Sequence, residues 1–202
     1  MRFNTTFEPN PLPTAVFVFV LACWVLFWVA FLFHKKPPKQ TEQKRDRASL
    51  YGVWLESIAY FVVWFLRRQL FTPIFAMPKA VEIIVAILTC AIAVGSGWIA
   101  NAAIRTLGKQ WTFVARVVEG HKLVTEGPYR IVRNPIYTAM FGMLLATGLA
   151  WSRWWALLLG ICIFLIGNQI RVNAEEKLLR ESFGKEFDEY AQRVPALIPR
   201  LF

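Results

Sequence analysis

Two short polar stretches of this sequence have residue types and spacings that could support chemistry. The first, residues 123–137, places two tyrosines, two arginines and an asparagine within nine residues: Tyr129, Arg130, Arg133, Asn134 and Tyr137. Asparagine followed by proline is typical of a helix start, so capping explains Asn134 as well as a functional role does. The amides at a helix start also favour an anionic ligand group such as a carboxylate or a phosphate. A tyrosine one turn into an apolar helix needs a partner for its hydroxyl.

The second stretch, residues 168–176, continues an apolar run. Because successive residues of a helix are 100° apart, Asn168, Arg171 and Glu175 lie within about 60° of one another and form a polar stripe. Ionisable residues at a membrane boundary are candidates for function. Two structural explanations stay open. Arg171 and Glu175, four residues apart, could form a surface ion pair, or Arg171 could anchor the helix at the membrane surface.

Long apolar runs must position these residues. The chain of 202 residues is 56% hydrophobic, whereas soluble domains are about 45–50% apolar. The apolar residues concentrate in five runs: residues 14–33, 50–66, 80–104, 135–150 and 154–170. We therefore predict an all-α fold, a multi-pass membrane protein with about five transmembrane helices and a cytoplasmic C-terminal helix. No composition shift suggests a second domain, so residues 1–202 are predicted to form a single integral-membrane domain.

The ends of three runs carry further information. The first run ends in His34-Lys35-Lys36 rather than at a small-residue cleavage site, so we interpret it as a retained helix and not as a signal peptide. The last two runs are separated only by residues 151–153. This short gap predicts a tight helical hairpin, whose two outer ends bring residues 105–134 and 171–202 together.

The distribution of lysine and arginine predicts the orientation in the membrane. Eighteen of these residues lie in three segments, against five elsewhere: residues 34–49, 105–134 and 171–202. The amino terminus is therefore expected outside and the carboxyl terminus in the cytoplasm. The two polar stretches, in segments 105–134 and 171–202, are then both cytoplasmic, and so is the candidate active site.

Two further segments have a predicted structure. Residues 35–47 are interpreted as a flexible, polar linker. Beyond residue 176, the spacing of Leu178, Leu179, Phe183, Phe187 and Tyr190 predicts an amphipathic helix with one break at Gly184, which ends near Val194-Pro195 and Ile198-Pro199.

Several functional classes are excluded by the same residues. The net charge of +10 is explained by the membrane topology, so no nucleic-acid partner is expected. Cys23, Cys90 and Cys162 lie inside apolar runs without metal-ligand spacing, and the chain has only two histidines, so no metal site is expected. The chain has no glycine motif of a Rossmann domain, no Walker motif, no HExxH motif and no Ser-His-Asp set.

The two stretches together resemble a known family. Residues 123–137, with the pattern L-V-T-x-G-P-Y-R-x-V-R-N-P-x-Y, resemble the motif of isoprenylcysteine carboxyl methyltransferases, which phospholipid amine methyltransferases and many bacterial relatives share. The second stretch matches through Arg171-x-x-x-Glu175-Glu176, and Phe183-Gly184 and Tyr190 follow it. The resemblance covers about residues 107–202, roughly half of the chain.

The resemblance implies a membrane enzyme that transfers a methyl group from S-adenosylmethionine to a lipophilic acceptor. The cofactor pocket of this family forms at the cytoplasmic ends of the last helices, without a Rossmann domain. Residues of this chain that match its cofactor-binding positions are Leu123, Val124, Tyr129, Asn134, Tyr137, Glu175 and Glu176. The usual motif has histidine where this chain has Asn134, and asparagine can form hydrogen bonds but cannot act as a base.

The resemblance also implies roles for these residues. Leu123, Val124 and Tyr129 would shape the cofactor pocket, whereas Asn134 and Tyr137 would bind its polar groups. Glu175 and Glu176 would hold ribose hydroxyls or the ammonium group of the cofactor. As catalytic residues, Arg171 would orient a carboxylate of the acceptor or the cofactor, and Glu175 would act as base for an amine acceptor.

Two points stay open from the sequence: the functional class, with two alternatives to a methyltransferase, and the identity of the acceptor. Membrane sterol and steroid reductases, which use a nicotinamide cofactor, resemble the same C-terminal pattern but usually have more spans. A non-catalytic membrane protein is the third possibility. The acceptor is also open between an isoprenylated thiol carboxylate, a phospholipid amine and a small lipophilic molecule, and it is expected to enter from the bilayer.

Overall fold

A computed structural model of the chain describes residues 10–32, 42–45, 47–69, 72–108, 116–118 and 122–197. Six α-helices, one 3-10 turn and two short strands occur within these ranges. They are α1 (Pro11–Leu32), β1 (Glu42–Arg45), α2 (Ala48–Phe65), α3 (Lys79–Leu107), β2 (Arg116–Val118), the 3-10 turn (Gly127–Arg130), α4 (Pro135–Trp151), α5 (Trp154–Phe183) and α6 (Lys185–Arg193). The predicted all-α fold class is confirmed.

The helices have the lengths expected of a membrane protein. Among the described residues, four helices are long and apolar enough to cross a bilayer: α1, α2, α3 and α5. Helix α4, predicted as a further span, is apolar but has only 17 residues. At 1.5 Å per residue it is about 26 Å long, slightly less than the ~30 Å thickness of a bilayer core.

A short connection joins α4 to α5 and confirms the predicted hairpin. Only Ser152 and Arg153 separate the two helices. The guanidinium group of Arg68 donates to the carbonyls of Leu149, Ala150 and Ser152 at 2.9, 2.7 and 2.7 Å. These carbonyls have no partner within the helix, so Arg68 caps the end of α4. Burial lowers the pKa of Arg68 to about 10, so its charge is retained at neutral pH.

Helices α2 and α5 pack along a seam in which buried residues recur at alternating intervals of three and four. The seam residues are Ser49, Gly52, Glu56, Ala59 and Val63 in α2, and Leu157, Gly160, Phe164, Gly167, Arg171, Ala174 and Leu178 in α5. This spacing is typical of supercoiled helix pairs. Glycines allow close approach, since a Cβ atom at Gly167 would lie 2.9 Å from the Gly52 carbonyl oxygen. The close approach brings Glu56 and Arg171 into one buried interface.

The other helices form an apolar core around α1, α3 and α4. Trp24 in α1 donates its indole N–H to the Thr147 hydroxyl in α4 at 2.9 Å. Gly142 in α4 packs directly against Ser96 in α3. This core fixes α4, which carries Tyr137, against the membrane helices on either side.

The segment predicted as a flexible linker differs from that prediction. Within residues 35–47, β1 pairs in antiparallel fashion with β2. Strand β1 has the sequence Glu-Gln-Lys-Arg, which lacks the β-branched and aromatic residues that favour strands. The pairing depends on backbone groups of a distant segment, so local composition could not indicate it.

The C-terminal prediction is confirmed as far as the structure describes it. Helix α5 ends at Phe183, and Gly184 has a φ of 54°, a left-handed conformation that favours glycine. Helix α6 follows and ends at Arg193, just before Val194-Pro195. Ile198-Pro199 lies outside the described residues.

Candidate active site

The first polar stretch contains the 3-10 turn, which packs against α3 and α6. Gly127 has a φ of 57°, and a Cβ atom there would lie 2.8 Å from the Thr106 hydroxyl. Tyr129 is buried, and burial raises its pKa. The hydroxyl of Tyr190 donates to the Tyr129 carbonyl at 2.7 Å. Burial raises the pKa of Tyr190 to about 12, so this hydroxyl stays protonated and keeps its donor role.

Leu123 and Val124 lie immediately before this turn. Both side chains are partly buried. Their position beside the turn is compatible with the pocket-shaping role that the resemblance implies, which remains a prediction.

Asn134 occupies the N-cap position of α4 but does not cap the helix with its side chain. Its side-chain amide instead donates to the Ala196 carbonyl at 2.9 Å. The backbone amides of Arg133 and Asn134 donate to the carbonyls of Pro195 and Ala196 at 2.8 and 3.0 Å. The capping explanation is therefore wrong for the side chain, which fastens the C-terminal segment to the start of α4.

Arg133, which was not among the predicted site residues, attaches α6 and the following segment to α5. Its guanidinium group contacts the Glu176 Oε1 atom at 3.0 Å from Nε and 2.6 Å from the second nitrogen. It also donates to the Ala191 carbonyl at 2.8 Å and to the Val194 carbonyl. Glu176, predicted to bind the cofactor, therefore has one carboxylate oxygen engaged by Arg133.

We expect Arg133→Gln to lower the free energy of unfolding by about 2–3 kcal/mol, because Glu176 loses its counter-ion and two carbonyls lose a donor. Hydrogen–deuterium exchange of α6 and thermal unfolding measure the effect. Arg180→Gln is the matched control, because the Arg180–Asp188 ion pair is about half exposed and is expected to contribute less than about 1 kcal/mol. Equal losses in the two variants would contradict the attachment of α6 by Arg133.

Three predicted residues meet at the centre of the site. The Tyr137 hydroxyl donates to the Glu175 carboxylate, and the Arg171 guanidinium lies over the Tyr137 ring at 4.3 Å from its centroid. Tyr137 and Arg171 are 4% and 6% exposed, so the group lies inside the helix bundle. We call Glu56, Tyr137, Arg171 and Glu175 the central cluster.

Glu56 is the member of this cluster that sequence analysis missed. Its Oε2 atom lies 2.5 Å from a terminal nitrogen of Arg171, and the residue is 2% exposed. Arg171 thus forms an ion pair with a different helix and is buried, which contradicts the interpretation of Arg171 as part of a surface pair. The missed signal is that Glu56 is the only charged residue in the apolar run 50–66, where charge is costly and typically functional.

The polar stripe of α5 lies mostly inside the protein: Asn168 and Arg171 are buried, and Glu175 is partly buried. Asn168 is 3% exposed and lies three residues before Arg171 in α5. At formal charges, Glu56, Glu175 and Arg171 sum to −1, and Arg133 balances Glu176. A carboxylate pair beside aromatic rings stabilises a positively charged ligand.

Comparison with known proteins identifies the family. Residues 82–186 match the phospholipid methyltransferase family. Protein-S-isoprenylcysteine O-methyltransferase B of Arabidopsis thaliana is 35% identical over 109 residues, 49% of this chain and 51% of that protein. The nickel-cobalt-cadmium resistance protein NccN of Alcaligenes xylosoxydans xylosoxydans is 36% identical over 100 residues, 48% of this chain and 45% of that protein.

A third similar protein is also named as a methyltransferase. Methanethiol S-methyltransferase 2 of Bradyrhizobium diazoefficiens is 34% identical over 92 residues, 42% of this chain and 32% of that protein. The chain spans about half the length of the first curated relatives it matches. The family match includes Tyr137, Arg171 and Glu175 and excludes Glu56. Because this match extends over more than half of the sequence, the chain belongs to the phospholipid methyltransferase family.

Proposed function

We propose that this protein is a membrane methyltransferase that transfers a methyl group from S-adenosylmethionine to a lipophilic acceptor. The observation that carries the proposal is the central cluster: a buried tyrosine–glutamate hydrogen bond beside a buried arginine, within the family-matched region. The relatives named for methyl transfer support the reaction class.

The chemistry of the site fits the cofactor. S-adenosylmethionine supplies an electrophilic methyl group on a positively charged sulfonium. Carboxylates of Glu175 and Glu176 suit its ammonium group and ribose hydroxyls. Asn168 has a buried side-chain oxygen without a hydrogen-bond partner among the described residues, which a ligand donor would satisfy. Leu123, Val124, Tyr129 and Asn134 would form the remaining wall.

The central cluster would act mainly by positioning, since methyl transfer is an in-line displacement. The Tyr137 hydroxyl fixes the Glu175 carboxylate through its hydrogen bond. Glu175 would then take the proton of an acceptor that loses one. Arg171, held over the Tyr137 ring, fixes the position of both residues.

The orientation in the membrane is part of the proposal. Arg68 and Ser152 meet at one end of the helix bundle, and the start of α4 lies at its other end. Lysine and arginine are concentrated on the side of the α4 start, so we place the site at the cytoplasmic face and the amino terminus outside. The acceptor would enter from the bilayer, and residues 1–202 would form one domain.

Calorimetry of the purified protein tests the proposal, with S-adenosylmethionine and NADPH titrated in parallel. We expect saturable binding of S-adenosylmethionine and none of NADPH, because the carboxylate-rich cluster suits a cation and disfavours an anionic dinucleotide. Binding of NADPH alone would indicate a reductase. Binding of neither by a protein with an intact thermal transition would indicate a non-catalytic membrane protein.

A further inference from the structure

Arg171 forms an ion pair with another residue of this protein, Glu56 in α2. Glu56 Oε2 lies 2.5 Å from its terminal nitrogen, and both residues are almost completely buried. Glu56 lies eight residues after the start of α2 at Ala48, about 12 Å along the helix axis. An ion pair this deep in a membrane protein is costly unless both charges are well fixed. Gly52 helps to fix it, because the Arg171 side chain lies directly over this glycine.

The charges around Arg171 disfavour an anionic acceptor. The single guanidinium group of Arg171 lies near two carboxylates, those of Glu56 and Glu175. An acceptor carboxylate placed there would add a third negative charge in a low-dielectric interior, where like charges repel strongly. It would compete with Glu56 for the charge of the same guanidinium group.

Buried polar side-chain atoms of α2 and α5 also lack hydrogen-bond donors within the described part of the chain. Among the described residues, three buried side-chain oxygens have no hydrogen-bond partner: Ser49 Oγ, Glu56 Oε1 and Asn168 Oδ1. Ser49 lies two turns from Glu56 in α2, and Asn168 lies one turn from Arg171 in α5. Carboxylate and amide oxygens only accept hydrogen bonds. A ligand group that donates would satisfy the Glu56 and Asn168 oxygens, whereas a carboxylate ligand would not; the Ser49 hydroxyl can bond to either kind of group.

We infer that Glu56 determines acceptor specificity: by neutralising Arg171 it restricts the acceptor to a group without negative charge that carries a donor proton, an amine or a thiol on a lipophilic molecule. This inference rests on the proposed methyl transfer. Glu56 acts through Arg171 and is therefore a positioning residue. The acceptor lone pair forms the new bond to the methyl carbon, the carbon–sulfur bond breaks with its electron pair remaining on sulfur, and the acceptor proton passes to Glu175.

Two matched probes test the inference by binding to the full-length protein in lipid nanodiscs, saturated with S-adenosylmethionine. They are N-acetyl-S-farnesylcysteine, which has a carboxylate, and its carboxamide. We expect the wild-type protein to bind the carboxamide at least about ten-fold more tightly. In Glu56→Gln the charge of Arg171 becomes available, so we expect the carboxylate probe to gain at least about ten-fold in affinity.

Two further variants separate specificity from folding. Glu56→Asp keeps the negative charge and is expected to keep the wild-type preference, even if Glu56→Gln is unstable. Glu82→Gln is the matched control, because Glu82 interacts with Lys79 and Asn10 in another part of the bundle, and it should leave the preference unchanged. Equal or tighter binding of the carboxylate by the wild-type protein would overturn the inference, and so would an unchanged preference in Glu56→Gln or binding of neither probe.

Turnover gives an independent measurement. With radiolabelled S-adenosylmethionine, we expect methylation of farnesyl thiol or farnesylamine and no methylation of the carboxylate probe. Methyl transfer to the carboxylate probe, or to none of the three compounds, would overturn the inference. The proposed function has a separate test, because only the absence of S-adenosylmethionine binding in calorimetry would contradict it. A protein that binds S-adenosylmethionine and methylates the carboxylate retains the proposed function and loses this inference.

Discussion

Replacing Glu175 with glutamine is expected to lower the rate of methyl transfer by about 10²–10⁴-fold while the protein still folds. Glutamine has nearly the same shape, and its carbonyl oxygen can still accept the hydrogen bond from the Tyr137 hydroxyl. It carries no charge and cannot take a proton from the acceptor. The rate is measured with radiolabelled S-adenosylmethionine at saturating concentration, and thermal unfolding verifies the fold.

Two variants make this result specific. Glu189→Gln in α6 is the matched control, because Glu189 is exposed, and it should retain wild-type turnover. Tyr137→Phe removes only the hydroxyl that orients Glu175, so we expect a smaller loss, about ten-fold. Wild-type turnover in Glu175→Gln would remove Glu175 from the active site and with it the proposed proton transfer.

The elements of the fold could be predicted because their signals are local. Apolar runs and the gap at residues 151–153 indicated the helices and the hairpin. Gly184 marked the break between α5 and α6, because a left-handed residue there favours glycine. The polar stripe of α5 followed from the 100° rotation per residue, and its members Arg171 and Asn168 are both buried.

The partners of these residues could not be predicted, because they depend on packing between distant segments. Asn134 lies where a capping residue is expected, yet its side chain bonds to Ala196, 62 residues later. Arg171 is four residues from Glu175 in α5, yet its ion pair is with Glu56, 115 residues earlier. Helix periodicity places a residue on a face, whereas the partner depends on which helix covers that face.

Asn134 is the position at which this chain departs from the family motif. The resemblance places histidine at this position, and asparagine cannot act as a base. The structure holds the side-chain amide of Asn134 against the Ala196 carbonyl, while the Glu175 carboxylate accepts a hydrogen bond from Tyr137, three residues after Asn134. A base at position 134 is therefore unnecessary for the proton transfer that we propose.

Gly52 lies directly beneath the Arg171 side chain. Gly52→Ala is expected to lower kcat/KM by at least about ten-fold, because a misplaced catalytic side chain strongly reduces rate. An alanine Cβ there would lie 2.5 Å from the Gly167 carbonyl oxygen and 3.2 Å from the Arg171 Cδ atom. Either the seam between α2 and α5 must widen or the arginine must move away from Glu56. We also expect a loss of about 1–3 kcal/mol in the free energy of unfolding, as for other overpacked interiors.

Gly97→Ala in α3 is the matched control for this substitution. Apart from its own stretch of helix, no atom lies within 4 Å of an added Cβ at Gly97, so the same change in a helical glycine is expected to be neutral or stabilising by up to about 1 kcal/mol. Turnover and thermal unfolding are measured for both variants at saturating S-adenosylmethionine. If Gly52→Ala retains wild-type kcat/KM while Gly97→Ala behaves as expected, the position of Arg171 over Gly52 has no part in the reaction. If activity is lost in Gly52→Ala but S-adenosylmethionine still binds, the loss is assigned to the acceptor side of the site, where α2 meets α5.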